Sequence, residues 1–272
     1  MHIAEQESYG PVTAYHLGFG PLGPPWLTVR CYRLGDLLID TGQSHMGGRL
    51  LSLLAADPPT TVVLTHHHED HSGNAAAVRH RFGAAVFSHP LTAEKLRRGF
   101  PIRPYQHYVW GSARPVTAQP LPSVLEAAGR RLVPIYTPGH SKDHTAYLAP
   151  DEGWLFSGDL FLGERIKYFR ADENFADQMA SLRRVLTLDF DALFCAHRPM
   201  PRHGKAALGR KLAFLEEVYG RISDLRRRGH DEKAIIRILD PHCDRNVRAV
   251  TLGNVSFGCM VRSALKALDQ PT

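Results

Sequence analysis

The chain has 272 residues, 43% of them hydrophobic and 22% charged, a globular balance with enough material for one large core or two modest ones. No uncharged apolar run of about 18 residues occurs, and the opening MHIAEQESYG has neither the basic stretch nor the apolar segment of an export signal; no membrane span is expected, and a cytoplasmic location is. Residues 1–197 carry 18 Lys+Arg against 19 Asp+Glu, whereas residues 198–272 carry 15 against 8, so the net charge of +6 belongs to the tail.

The first predicted elements are short β-type runs, VTAYHLGF (12–19), WLTVRCYRL (26–34) and DLLID (36–40), separated by the Gly/Pro cluster GPLGPP. A helix over roughly 46–56 is stopped by Asp57-Pro58-Pro59, and TVVLT (61–65) then reads as a short strand buried on both faces. NAAAVRHRF (74–82) is predicted as helix and AAVFS (84–88) as strand. From Leu91 to Pro122 the pattern loosens into Pro, Arg and aromatic residues, and a surface flap or substrate-facing insertion is expected. The second half repeats the rhythm with strands over 130–136, 145–150, 153–158 and 192–196 and a helix over about 174–187. Two such halves predict two sheets face to face with helices outside, a four-layer sandwich. From Gly204 onward strand signals cease. A long amphipathic helix carries Leu208, Leu212, Leu215, Val218, Ile222 and Leu225, and helices over roughly 231–239 and 256–268 follow, placing a boundary near residue 203 between a catalytic domain (1–203) and a basic helical region (204–272).

Sixteen histidines are several times an average share and ask for a metal explanation. Cys31, Cys195, Cys243 and Cys259 lie far apart without a CxxC pair, so neither a disulfide framework nor a cysteine zinc ribbon is readable. The chemistry concentrates in Thr65-His66-His67-His68-Glu69-Asp70-His71, where an apolar strand delivers His66, His68, Asp70 and His71 to one turn. Imidazole nitrogen and carboxylate oxygen suit zinc, manganese or iron, and four such ligands in six residues make two metal half-sites rather than one. An ordinary polar loop would have to assemble this HxHxDH spacing by accident. His140, Asp159 and His197 each sit in a loop at the end of a predicted strand. Gly18-Phe19-Gly20-Pro21-Leu22-Gly23 fits GxGxxG, but its prolines forbid the helix that a dinucleotide site needs.

With Asp40-Thr41-Gly42 ending a strand, HxHxDH at His66 to His71 and the later His140, Asp159 and His197, residues 12–200 resemble the metallo-β-lactamase superfamily of metal-dependent hydrolases, related to glyoxalase II in the metal site. The resemblance implies an α/β fold, the four-layer αβ/βα sandwich, here with a C-terminal helical extension. It assigns His66, His68 and His140 to one metal, Asp70, His71 and His197 to a second, and Asp159 as a bridge. Asp40 is implied as a hydrogen-bond partner that aims a ligating histidine, and His144 as a further supporting histidine. Two divalent ions, zinc first with iron or manganese as alternatives, would bring the pKa of a shared water towards about 7. The hydroxide then attacks a carbonyl or phosphoryl centre, with Asp70 orienting it.

The substrate expected is a small ester, thioester or lactone. The alternative is a metal-dependent endoribonuclease of the small β-lactamase-like type, with RNA as partner through the basic tail; against it, no aromatic residues interleave with Lys and Arg, and the catalytic half is not basic. A mononuclear iron persulfide dioxygenase, using His66, His140 and Asp159, ranks lower. So does a β-lactamase, whose nearest class lacks a bridging carboxylate at the position of Asp159. A retired hydrolase acting as a binding module is opposed by the intact ligand set.

Overall fold

Alternation along the strands sorts apolar side chains onto two faces, and this sorting builds the architecture. The computed structural model describes residues 1–240 and 244–269, so Cys243 lies outside the described residues. In chain order, strands β1 (His2–Tyr9), β2 (Val12–Phe19), β3 (Thr28–Leu34) and β4 (Leu37–Ile39) precede a 3-10 turn and helix α1 (Gly47–Leu54). Strand β5 (Thr61–Val63), helices α2 (Glu69–Ser72) and α3 (Ala75–Phe82), and strand β6 (Ala85–Ser88) follow. Next come helices α4 (Pro90–Arg98) and α5 (Pro104–Trp110) and strands β7 (Gln119–Pro120), β8 (Leu125–Ala127), β9 (Arg130–Tyr136), β10 (Thr145–Ala149), β11 (Trp154–Gly158) and β12 (Phe169–Arg170). The chain ends with α6 (Phe175–Leu186), β13 (Ala192–Cys195), α7 (Gly204–Arg227), α8 (Glu232–Leu239), α9 (Arg245–Val250), β14 (Val255–Ser256) and α10 (Phe257–Leu268).

Strands β1 to β7 form one sheet in sequence order, antiparallel through β4 and parallel from there. The second sheet runs β13-β11-β10-β9-β8. Between the two, Ala14, Tyr32, Leu34 and Ile39 of the first sheet meet Leu132, Tyr147, Phe156 and Phe194 of the second. The alternate residues Leu17, Val29, Cys31 and Val62 face outward onto Leu50, Val78, Leu96 and Trp110 of the first helical layer. On the other side Leu155, Leu193 and Cys195 pack against Phe175 and Leu182 of α6, Leu208, Leu215 and Ile222 of α7, and Met260 of α10. Three apolar layers between four structural layers give the αβ/βα sandwich. The helices from residue 204 onward share their apolar cluster with the second sheet.

The structure corrects the reading at several points. Residues 91–122 are not a loose flap: they hold α4 and α5, which begin at Pro90 and Pro104. Proline at the first helical position lacks only an N–H that has no helical partner there, so these prolines start helices rather than dissolve them. Strand structure does not cease at Gly204, because Val255–Ser256 pairs antiparallel with Phe169–Arg170. Strand β1 went unread because Glu5, Gln6 and Glu7 give an edge strand a polar sequence. Among the described residues no helix is long and apolar enough to cross a membrane.

Candidate metal centre

The seven ligand candidates come from strand ends and loops along one edge of the two sheets. Strand β5 ends at Val63 and hands the chain to His66, His68 and, through α2, Asp70 and His71, all buried. His140 follows β9, Asp159 directly follows β11, and His197 follows β13. Two of these positions depend on glycine. Gly158 has φ +47°, and a Cβ there would come within 2.7 Å of His144 Nε2 and 2.9 Å of Thr65 Cβ. Gly139 has φ +140° against the backbone of Gln178.

The side chains form two groups. In the first, His66 Nε2 lies 2.8 Å from His68 Nδ1, which lies 3.1 Å from His140 Nε2. In the second, Asp70 Oδ2 is 3.7 Å from His71 Nε2 and 3.6 Å from His197 Nε2. Asp159 reaches both: Oδ2 is 3.2 Å from His140 Nε2, while Oδ1 is 3.3 Å from His71 Nε2 and 3.4 Å from His197 Nε2.

Neighbouring hydrogen bonds fix which nitrogens face inward. His71 Nδ1 donates to Asp40 Oδ2 at 2.7 Å and His197 Nδ1 to the Thr28 carbonyl at 2.7 Å, so each presents Nε2 with its lone pair. Asp40 also accepts from the Thr65 N–H and hydroxyl at 2.8 Å each, and the same hydroxyl oxygen accepts from His66 Nδ1 at 3.0 Å. Asp40 adopts φ 60°, a strained backbone for a non-glycine residue, held by this set of bonds. His144 Nε2 accepts the Asp159 N–H at 3.1 Å while Nδ1 donates to Thr137 Oγ1 at 2.8 Å, so it braces the bridging residue without joining either group.

Burial is the largest influence on every imidazole here and opposes charge. On His66 and His68 neighbouring positive groups act in the same direction, and both are held well below the usual histidine range. At His71, His140 and His197 the carboxylates outweigh burial, Asp159 foremost, and push the imidazoles up. His144 is lowered to about 3 by burial and then by His140. Asp159 is buried, yet His71, His197 and His140 hold its carboxyl well below the usual range.

A metal ion fits these residues. His71 Nε2 and Asp159 Oδ1, which face each other at 3.3 Å in the second group, are buried without a hydrogen-bond partner. Such atoms are costly to leave unsatisfied, and five imidazoles with two carboxylates are a donor set suited to a divalent transition ion. His66, His68 and His140 would hold one ion, Asp70, His71 and His197 a second, with Asp159 between them.

Several supporting residues escaped the sequence reading. Asp143, fully buried, accepts from the His67 N–H at 3.0 Å, His67 Nδ1 at 2.9 Å, Thr92 Oγ1 at 2.7 Å and Lys95 Nζ at 3.3 Å, tying the motif loop to α4. Glu173 Oε1 lies 3.6 Å from His140 Nδ1. Lys211 of α7, fully buried, donates to the Leu160 carbonyl at 2.7 Å, beside Asp159, and burial lowers its pKa to about 8. Glu69 accepts from Gln106 at 2.7 Å, and burial followed by the Asp70 charge raises its pKa to about 7. The candidate ligands open onto a cleft of about 640 Å³ walled by Trp26, Leu27, Tyr105, Trp110, Leu162 and Val255, with Arg170 at its side. Asn254 donates to the Tyr105 hydroxyl at 2.7 Å, so the tail forms part of this wall.

This fold, with histidine and aspartate clusters at one edge of its paired sheets, defines a class of metal-site proteins. The sequence model of the metallo-beta-lactamase superfamily matches residues 25–197, and the chain belongs to that superfamily. It is 32% identical over 191 residues to an atrochrysone carboxyl ACP thioesterase of Aspergillus fumigatus, covering 68% of this chain and 56% of that one. It is likewise 32% identical over 133 residues to a beta-lactamase-like protein 2 homolog of Drosophila melanogaster, covering 48% and 39%. The chain thus spans about half the length or less of these curated relatives. A crystal structure of a metallo-beta-lactamase family protein from Thermus thermophilus superposes with a TM-score of 0.66 at 22% identity, covering 95% of this chain and 93% of the other. That likeness establishes the fold, helical tail included.

Proposed function

We propose that the chain is a binuclear zinc hydrolase acting on a small ester, thioester or lactone, with the thioester foremost. The observation that carries this reading is Asp159, whose two carboxylate oxygens face different ligand groups. Two divalent ions supply, when bound, a hydroxide near neutral pH and polarise the bond to be cleaved. The chain's own residues do the rest. Asp70, beside His71 and His197, would accept a hydrogen bond from the attacking water and orient it. Trp110 and Leu162 shield the cleft and, with the exposed Trp26, hold an apolar acyl group. Tyr105 accepts from Asn254, which leaves its own O–H free to donate to a substrate oxygen in the cleft.

A thioester is favoured by the likeness to the Aspergillus thioesterase. RNA recruitment by the tail is less well supported: Arg210 pairs with Glu164, Arg227 with Asp224 and Arg262 with Glu232, while Lys211 is buried. The test is a screen of the zinc-loaded protein against thioester, ester, lactone, phosphodiester and single-stranded RNA substrates. Brisk thioester or ester turnover lost on chelation is expected. RNA cleavage with no carbonyl-ester turnover would replace this reading, and sulfur-dioxygenase activity with a single iron would overturn it.

A further inference from the structure

Across α5 from the metal cleft lies a second cavity of about 960 Å³ that the hydrolytic reading leaves unused. Helix α5 is the partition: Gln106 and Trp110 line the metal cleft, His107 and Gly111 the other side. Arg81, Arg114, His45, His80 and His107 line this second cavity, and no aspartate or glutamate does. That separation is local, since residues 1–197 are close to charge balance.

Many arginines of the chain hold a carboxylate, as Arg30 does with Glu7, Arg131 with Asp151 and Arg183 with Glu216. Arg81 and Arg114 have no ion pair among the described residues, and both are exposed. His45 Nε2 donates to the His107 carbonyl at 2.8 Å, and His107 Nδ1 is 2.9 Å from Ser112 Oγ, so both rings are fixed. Small residues form the floor. Gly111 has φ +80°, and a Cβ there would strike Ser44, while one at Gly47 would crowd the Asn74 side chain.

We propose that this cavity binds the phosphate groups of an organic phosphate of nucleotide size. Two unpaired guanidiniums present flat forks of N–H donors that match phosphate oxygens two at a time, and the imidazoles add further polar contacts. The volume lies at the upper end of small-molecule sites, enough for a sugar and base beside Leu51 and Pro115. The absence of carboxylates from the lining removes the groups that would repel the ligand. The phosphate could belong to a free nucleotide or to the carrier arm of a thioester; the contacts would be the same. Only the second source rests on the hydrolytic reading.

The test is calorimetric titration of the zinc-loaded protein with ADP and with inorganic pyrophosphate. One saturable ADP site per chain is expected, weakened at least about tenfold in Arg81→Ala/Arg114→Ala and unchanged in His140→Ala. Because both arginines are exposed, the double variant should melt with the wild type in the absence of ligand. The proposal is overturned if no saturable binding appears at millimolar ligand, if the double variant binds as the wild type does, or if His140→Ala abolishes binding that the double variant keeps. Turnover then separates the sources. A carrier-borne phosphate gives a double variant with raised KM and unchanged kcat for an acyl-coenzyme A but not for the same acyl group on N-acetylcysteamine; a free nucleotide gives equal responses with both substrates.

Discussion

The two candidate ligand groups lie side by side and differ in their electrostatics. His66, His68 and His140 form a cluster of imidazoles alone, in which burial, followed by His71 at His66 and by Arg170 at His68, holds both well below the usual histidine range. Asp70, His71, Asp159 and His197 mix two carboxylates with two imidazoles, and there the carboxylates draw the histidines towards the charged form. An ion held by the second group would gain the carboxylate charge of Asp70 and Asp159, which the three imidazoles of the first group do not supply. His140 and Asp159 meet across the divide, as do the rings of His66 and His71 with centroids 4.1 Å apart, and His140 takes its raised pKa from Asp159. The difference teaches that one strand-end loop supplies candidate ligands to both groups, while Asp159, which faces both, comes from a remote strand.

That contrast is broken most severely at Asp159. Asp159→Ala should lower hydrolytic turnover by more than about 100-fold and reduce metal content at both groups, measured by steady-state kinetics and elemental analysis. Retention of one ion with near-normal turnover would show that the groups are independent. Asp40→Ala sharpens the contrast, because Asp40 bonds directly to His71 of the carboxylate-rich group. A loss of about 10–100-fold in affinity for one ion of the pair is expected by metal titration, with the other less affected.

Asp143 gives a smaller effect, on stability. Burial opposes its charge, but the hydrogen bond and charge of His67, then Lys95 and Thr92, hold its carboxyl below the ordinary range. A carboxyl lowered in the fold contributes fully above its unfolded value of about 3.9 and loses that contribution as pH falls through the folded value. Asp143→Asn should therefore destabilise by about 1–3 kcal/mol at pH 7, and the gap to wild type should narrow below about pH 4 in denaturant titrations. A gap unchanged from neutral to acid pH would contradict this. The smallest effect is expected at Arg227→Ala, whose exposed pair with Asp224 should leave melting temperature and turnover unaltered.

Legibility from sequence followed the range of the interaction. His66, His68, Asp70 and His71 were readable because one strand exit holds them within six residues, and Asp159 and His197 because each follows an apolar run that ends in a polar loop. The two-sheet sandwich was readable from short apolar strands alternating with helical periods. Glu173, Asp143 and Lys211 were not, since a lone charged residue carries no local period and acquires its role only when folding brings it to His140, His67 or the Leu160 carbonyl. Helices α4 and α5 were hidden by prolines that act as helix starts. The tail's part in the cleft was hidden likewise: Asn254 meets Tyr105 across 149 positions of sequence, a contact that helical periodicity cannot announce.

The proposed binuclear centre is most directly tested by counting metal per chain in protein purified without added metal and then loaded with zinc and desalted. Close to two ions per chain are expected, since each ligand group has its own imidazoles and a share of Asp159. A firm stoichiometry of one, unchanged at increasing zinc, would contradict a binuclear centre.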